Sequence, residues 1–250
     1  MRVLLHGLLH LLYPAACHVC HAVVPAGSGP FCSDCLSALI GDRASTCPRC
    51  ASTIGPYTDV ASGCPHCRSE PFAFDKAVRL GPYEGVLRDV VLRLKHLQGE
   101  GLAEMIGTLW AEKRLNQLQA LGAEVVVPVP LHWWRRWQRG YNQSEALARG
   151  LAHRLGLPCR PRWLRRIRNT PLQTQQSAAA RRENVHKAFQ CRARTVTNHA
   201  VLLVDDVMAT GSTVNEAAVA LRRAGAPRVV VAVLGRSHAS IQPGQPVDSW

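Results

Sequence analysis

The stretch Val201 to Thr213, VLLVDDVMATGST, carries the residues of this chain best suited to chemistry. Asp205 and Asp206 follow an apolar run that predicts a buried strand, and the small and hydroxylated residues after them lead into a predicted helix. Free backbone amides at such a helix start can bind a phosphate, whereas the carboxylates would contact sugar hydroxyls or Mg2+. We therefore expect a ligand with a phosphate, a ribose and further anionic groups.

One alternative to this ligand site stays open from the residues alone. The segment could be an ordinary strand-to-helix turn in which the two carboxylates only cap the helix. It is not a Walker loop, because no Gly-Lys-Thr follows the glycine.

Eight of the ten cysteines form four Cys-x-x-Cys pairs within the first 67 residues. Two such turns can complete a four-thiolate zinc site, and four thiolates leave no open position, which indicates two structural zinc ions. The spacing does not say which pair joins which, so an interleaved arrangement stays open, as does a set of free or disulfide-bonded cysteines. The predicted ligands are Cys17, Cys20, Cys32, Cys35, Cys47, Cys50, Cys64 and Cys67.

The formal net charge of +13 is concentrated in one segment. Residues 132–194 contain 15 lysines and arginines against 2 acidic residues, and the rest of the chain is balanced. Such localisation predicts an anionic ligand or polymer at one place.

Arginines in this segment are interleaved with tryptophans, a composition typical of surfaces that stack the bases of single-stranded nucleic acid. Two alternatives remain: the tryptophans pack on the core while arginine stems cover apolar surface, or the arginines bind the phosphates of a small ligand. The tryptophans are Trp133, Trp134, Trp137 and Trp163, and the candidate arginines are Arg135, Arg136 and Arg139.

The apolar pattern predicts an α/β fold with strands and helices in alternation. Because the strands are apolar along their whole length, we expect a mostly parallel sheet with helices on both faces, and a ligand at the carboxyl ends of its strands. A small zinc-ribbon domain is expected in residues 1–70 and a larger domain in 71–250. Segment 160–190 of the larger domain lacks clear periodicity, so we expect it to form a mobile excursion without regular structure. The predicted strands are 76–80, 124–130, 200–206 and 228–235, and the predicted helices are 86–97, 102–121, 142–156 and 213–224.

Several motifs, taken in order, resemble one known family. VLLVDDVMATGST resembles the signature for 5-phosphoribosyl 1-diphosphate (PRPP) in type I phosphoribosyltransferases. CHVC, CPRC, VPVPLHWWRRWQRGYNQSEALA and the DD loop follow the pattern of the ComF/GntX competence family over nearly the full length. In that family a double zinc ribbon precedes a type I phosphoribosyltransferase-like domain, and members are linked to DNA uptake in natural transformation or to use of DNA as a nutrient.

The resemblance implies a role for each part of the signature. Asp205 and Asp206 would bind the ribose hydroxyls, and Mg2+ would accompany PRPP. The loop after Pro130 would approach the diphosphate, and segment 170–189 would form a flexible hood. Ala209 stands where the family often has threonine, and the hood reads QTQQSAAA where relatives often have a glycine and a leucine. The residues implied for the 5-phosphate are Ala209, Thr210, Gly211, Ser212 and Thr213.

Two functions are compatible with these features. One is a PRPP-binding protein that contacts single-stranded DNA through the Arg/Trp segment and works with DNA-uptake or helicase proteins in the cytoplasm. The other is an active phosphoribosyltransferase, with Asp205 and Asp206 as its catalytic residues, acting on an unidentified acceptor. A zinc-ribbon transcription factor fits poorly, because residues 1–70 carry no net basic charge.

The first residues could pass for a signal sequence, but histidines and a proline interrupt the run, and no segment is apolar enough to span a membrane.

Overall fold

The computed structural model of the 250-residue chain describes residues 15–25, 27, 29–169, 183–192 and 194–237. Residues 170–182 of the expected hood lie outside the described residues.

The elements are named in chain order. The strands are β1 (Lys76–Pro82), β2 (Val125–Pro128), β3 (Leu164–Arg166), β4 (Phe189–Cys191), β5 (Ala200–Met208) and β6 (Arg228–Arg236). The α-helices are α1 (Ser33–Ile40), α2 (Gly85–Arg93), α3 (Glu100–Lys113), α4 (Leu115–Gln119), α5 (Trp133–Arg139), α6 (Gln143–Leu155) and α7 (Ser212–Arg223), and a 3-10 helix spans Arg194–Asn198.

A four-stranded sheet in the order β1-β6-β5-β2 forms the centre of the fold, and every neighbouring pair in it is parallel. β5 is therefore an inner strand, and Val204 pairs with Pro128 on one side and with Ala232 on the other. The expected α/β fold with a parallel sheet is confirmed.

Both faces of this sheet are buried. Along β5, Leu202 and Val204 belong to one core cluster, together with residues of α2, α3 and α6, and Val201 and Leu203 belong to a second cluster with residues of α7. Successive side chains of a strand point to opposite faces, so a strand covered on both sides must be apolar throughout. This explains the continuous apolar runs of the sequence.

The segment expected to lack regular structure has ordered ends. β3 and β4 pair antiparallel, with Leu164 opposite Cys191 and Arg166 opposite Phe189. The expectation was wrong for these ends because their partners are more than twenty residues apart, and periodicity within a short window cannot reveal such pairing.

The long helix expected over 102–121 is interrupted at Arg114. This residue leaves helical geometry (φ −128°, ψ 30°), and its guanidinium donates to the carbonyls of Ile40 and Asp42 in the cysteine-rich region. A contact between distant parts of the chain thus divides one predicted helix into α3 and α4.

Helices α3 and α6 cross closely enough to require glycine at the contact. A Cβ atom on Gly107 would overlap the carbonyl of Leu147, and one on Gly150 would overlap the carbonyl of Glu104. This crossing fixes α6 against the sheet and so places the start of α6 beside the carboxyl end of β5.

The cysteine-rich region is attached to the sheet through hydrogen bonds. The amide of Ala77 in β1 donates to the Pro48 carbonyl at 3.0 Å. Buried Arg79 donates to the Ala51 carbonyl at 3.2 Å and pairs with Asp42 at 2.9 Å. The region therefore lies along the edge strand of the sheet. Within the described ranges, no helix combines the length and apolarity that crossing a membrane requires.

Candidate functional site

The eight paired cysteines form two separate clusters in chain order. Within each cluster the four Sγ atoms all lie within 4.8 Å of one another. The interleaved arrangement that the spacing left open does not occur, and none of the ten cysteines, all of them described, forms a disulfide. The first cluster is Cys17, Cys20, Cys32 and Cys35, and the second is Cys47, Cys50, Cys64 and Cys67.

The geometry of both clusters fits zinc. A tetrahedral ion with Zn–S bonds of about 2.3 Å requires neighbouring sulfurs about 3.8 Å apart. The Cys20–Cys32 distance is 3.7 Å, and in the second cluster Cys47–Cys67 is 3.8 Å and Cys50–Cys64 is 3.6 Å. The two clusters therefore suit two structural zinc ions.

Two residues at the start of α6 hold the two aspartates. Ser144 Oγ donates to Asp205 Oδ1 at 2.8 Å, and Gln143 Nε2 donates to Asp206 Oδ2 at 3.1 Å. β5 continues two residues beyond Asp206, so both aspartates lie inside the strand near its carboxyl end. The arrangement presents two carboxylates at the edge where a parallel sheet binds its ligands.

Asn142 fixes the position of these two holding residues. It is the N-cap of α6, its Oδ1 accepts from the Ser144 amide at 3.2 Å, and its Nδ2 donates to the Val129 carbonyl at 3.1 Å. The sequence Asn-Gln-Ser thus joins the end of β2 to the end of β5.

The pKa of Asp205 is unusually high for a carboxyl group. Its side chain is buried at 8% exposure, and this burial, with the negative charge of Asp206, raises its pKa to about 7, against the hydrogen bond from Ser144. The site therefore contains a carboxyl group that changes charge near neutral pH, beside a second carboxylate that is only partly buried.

Residues 209–211 join β5 to α7, and with the first two residues of α7 they form the segment called the loop 209–213. Gly211 is left-handed (φ 84°) and is the N-cap of α7, and the hydroxyls of Thr210 and Ser212 lie 2.7 Å apart. The first turn of α7 contains no acidic residue, so the positive end of its dipole is uncompensated there. This geometry suits an anion such as a phosphate.

The three tryptophans of the WWRRW sequence lie on one short exposed helix, α5. Trp133, Trp134 and Trp137 are 64%, 42% and 72% exposed, and the rings of Trp134 and Trp137 stack with centroids 5.3 Å apart. These three side chains do not pack on the core. Trp163, by contrast, is partly buried against the second core cluster and contacts His199.

The candidate arginines of α5 point to different neighbours. Arg139 donates to Gln143 Oε1 at 3.2 Å and so approaches the aspartate pair, whereas Arg136 forms an ion pair with Glu145 at 3.0 Å. Burial and the charge of Arg139 lower the pKa of Arg135. Arg135 and Arg139 thus form a cationic group at the aspartate edge, and Arg136 turns toward the outside of α6.

Sequence reasoning missed three residues of this site. Gln143 and Ser144 are buried polar residues, and the signal for them was two uncharged polar residues in the first turn of an amphipathic helix, directly after its Asn142 N-cap. The third is Arg166 of β3, which lies 5.4 Å over the Phe189 ring. Burial and the charge of Arg135 lower the pKa of Arg166, against the charge of Asp205. Nothing in the run RPRWLRRIR distinguishes Arg166 from its neighbours.

Two family models match this chain, one in the cysteine-rich region and one in the α/β domain. Residues 8–68 match the double zinc ribbon domain, and residues 142–246 match the phosphoribosyl transferase domain. The fold and site thus define a double zinc ribbon joined to a phosphoribosyltransferase-like α/β domain, which fits PRPP binding.

Two relatives align with this chain over nearly their whole length. The chain is 33% identical over 230 residues to "DNA utilization protein YhgH" of Salmonella typhimurium, covering 91% of this chain and 99% of that protein. It is 30% identical over 228 residues to "Competence protein F" of Haemophilus influenzae, covering 88% of this chain and 96% of that protein. The chain belongs to the competence protein F family.

A solved structure aligns more distantly. The glutamine PRPP amidotransferase of B. subtilis complexed with ADP and GMP matches 57% of this chain and 30% of its own, with 25% identity and a TM-score of 0.38.

Proposed function

We propose that this protein binds PRPP with Mg2+ at the carboxyl edge of the sheet and acts in the use or uptake of DNA. The observation that carries the proposal is the aspartate pair held by Gln143 and Ser144, directly before the loop 209–213 that opens α7. The names of the relatives support the DNA role. The proposal includes a cytoplasmic location.

The chemistry of PRPP matches the order of the groups along this edge. The amides of the loop 209–213 would receive the 5-phosphate, and Asp205 and Asp206 would accept hydrogen bonds from the ribose hydroxyls. Mg2+ would neutralise part of the diphosphate charge, and the cationic group of Arg135 and Arg139 would face the rest. Arg166 is a further cation that this arrangement offers to the diphosphate.

Calorimetric titration with Mg-PRPP tests the small-molecule site. The zinc-loaded wild type is expected to bind, and the double variant Asp205→Asn/Asp206→Asn is expected to lose at least tenfold in affinity. Asp34→Asn is the matched control, because it removes an exposed carboxylate on α1, far along the chain from the loop. A folded wild type that does not bind Mg-PRPP, or a double variant that binds equally well, contradicts the proposal.

The exposed face of α5 supports a contact with single-stranded DNA. Stacked, solvent-facing rings beside arginines offer base stacking and phosphate pairing in one place, and each stacked base contributes about 1–3 kcal/mol. The logarithm of the binding constant should fall linearly with the logarithm of the salt concentration, because arginines that bind phosphates release the counterions of the DNA.

Fluorescence anisotropy with a labelled oligothymidine tests this contact. The triple variant Trp133→Ala/Trp134→Ala/Trp137→Ala is expected to bind at least tenfold more weakly, with the salt slope retained because the arginines remain. Tyr57→Ala is the control, because Tyr57 is an almost fully exposed aromatic residue outside α5. Equal affinity of the triple variant and the wild type would remove the stacking contact.

A second candidate function is phosphoribosyl transfer to an acceptor that is not identified. Asp205 favours it, because a carboxyl with a pKa near 7 can exchange a proton beside the ribose at neutral pH. The bond between ribose C1 and the diphosphate would break, the acceptor's lone pair would form the new bond to C1, and diphosphate would leave. Release of diphosphate from Mg-PRPP only when an acceptor is added would support this function, whereas binding without release across a panel of nucleobases and amines would contradict it.

A further inference from the structure

One buried arginine joins the second cysteine cluster to the start of the loop 209–213. Arg236 ends β6 and is 6% exposed. Its Nε donates to the Cys50 carbonyl at 3.0 Å, and its Nη1 donates to the Met208 carbonyl at 2.9 Å and to the Ala209 carbonyl. The β5–β6 register brings this about, because Met208 lies directly opposite Arg236.

The folded second cluster can stabilise the buried charge of Arg236. The guanidinium hydrogen bonds described above all go to backbone carbonyls, which supply no formal negative charge. A zinc ion held by four thiolates carries a formal charge of about −2, and this charge would stabilise a buried cation beside it. Without the folded cluster, the carbonyl of Cys50 would no longer be held in place for Arg236.

A second set of contacts runs from the same cluster to the same loop. Arg49 donates to the Cys67 carbonyl at 2.7 Å and to the Glu70 carbonyl at 2.6 Å, and its guanidinium lies 5.7 Å over the Phe72 ring. A Cβ atom on Gly211 would meet this ring at 3.2 Å. The ring therefore packs against the left-handed glycine at the turn of the loop.

The first cluster is attached to a different part of the fold. Arg93 of α2 donates to the carbonyls of His18 and Val19, at 2.5 Å and 2.7 Å. These bonds resemble the Arg236–Cys50 bond in chemistry, since in both cases a guanidinium binds a backbone carbonyl at or next to a cluster cysteine. In the described residues they lead to α2 rather than to the loop 209–213.

We propose that Arg236 is a positioning residue that couples the second zinc site, and not the first, to the loop 209–213. The carbonyls of Met208 and Ala209 set the direction of the amides that follow them. Without Arg236 the Ala209 carbonyl would lose this donor and the Met208 carbonyl would be left with the Ser237 amide, so the loop would rearrange. Zinc at the second cluster would thereby raise the affinity for the 5-phosphate of PRPP. By linkage, PRPP would raise the zinc affinity of the second cluster by the same factor. The affinity part of this inference rests on the proposed PRPP site.

Hydrogen exchange of the zinc-loaded full chain tests the coupling without any ligand. Arg236→Gln is expected to increase amide exchange in residues 207–213 at least tenfold and to speed alkylation of the second cluster's cysteines. Arg236→Lys, which keeps the charge with fewer donors, is expected to restore part of the protection. The matched control Arg93→Gln is expected to speed alkylation of the first cluster only and to leave exchange in 207–213 unchanged. The proposal is overturned if Arg236→Lys, and Arg236→Gln where it folds, both show the wild-type rate of amide exchange in residues 207–213.

The reciprocal measurement uses the wild type alone, so that it stands even where a variant fails to fold. Saturating Mg-PRPP is expected to slow alkylation of the second cluster's cysteines at least tenfold, with no change at the first cluster. Equal protection of both clusters, or protection of neither, in a wild type that binds Mg-PRPP overturns the coupling. A wild type that binds no Mg-PRPP overturns the proposed PRPP site instead, and hydrogen exchange then decides the coupling by itself.

Discussion

Replacing Asp205 by asparagine should change how the stability of the protein depends on pH. Oδ1 of Asp205 accepts both the Ser144 hydroxyl, at 2.8 Å, and the Asp206 amide, at 3.0 Å. An asparagine keeps a carbonyl oxygen for both bonds, so the substitution removes the charge and leaves these contacts. The pH dependence that disappears can therefore be assigned to the ionisation of this carboxyl group.

The sign and size follow from the raised pKa. Burial and the charge of Asp206 raise the pKa of Asp205 to about 7, from 3.8. Between these two values the folded protein holds a proton that the unfolded chain has released, so the free energy of unfolding falls as pH rises. Linkage gives a loss of about 1.4 kcal/mol in the free energy of unfolding between about pH 6 and pH 8. This window lies above the acid pH range in which protonation of the thiols would release zinc.

Urea unfolding of the zinc-loaded wild type and Asp205→Asn at about pH 6, 7 and 8 measures this loss. The difference between their free energies of unfolding should change by about 1.4 kcal/mol, with the variant gaining relative to the wild type as pH rises. Ser144→Ala removes a bond that favours the carboxylate and should move the transition to higher pH, whereas Asp206→Asn removes the neighbouring charge and should move it to lower pH. Parallel pH profiles for wild type and Asp205→Asn would refute the reasoning.

Two further predictions concern the metal content and the helix crossing. Cys64→Ser should reduce the zinc content from about two ions per chain to about one, because three thiolates cannot complete the second site. Elemental mass spectrometry measures this content. The control Cys159→Ser changes a cysteine outside both clusters and should leave the zinc content unchanged. Gly150→Ala should lower the free energy of unfolding by roughly 1–3 kcal/mol, since its Cβ would overlap a carbonyl of α3. The control Gly101→Ala, which has open space around the new Cβ, should not lower the free energy of unfolding. An unchanged free energy of unfolding in Gly150→Ala would contradict the close crossing of α3 and α6.

The sequence already contained the elements of the domain and the order of the site. A strand segment buried on both faces must be apolar along its length, and residues 201–204 of β5 and 229–235 of β6 met that condition in the sequence. The four Cys-x-x-Cys pairs determined that the metal sites would be four-thiolate sites, because a short turn sets the distance between two thiolates locally. The DD loop determined the candidate anion site for the same reason, since strand, loop and helix start are contiguous.

Only the tertiary structure decided how these parts meet. The pairing of the cysteine turns, the contact of Ser144 with Asp205 and the pKa of that carboxyl depend on residues that are distant in the chain. The link from Cys50 through Arg236 to Ala209 joins residues from three separate segments. Local spacing fixes distances only within a turn or a helix, whereas burial and hydrogen bonding between distant segments depend on how the whole sheet packs.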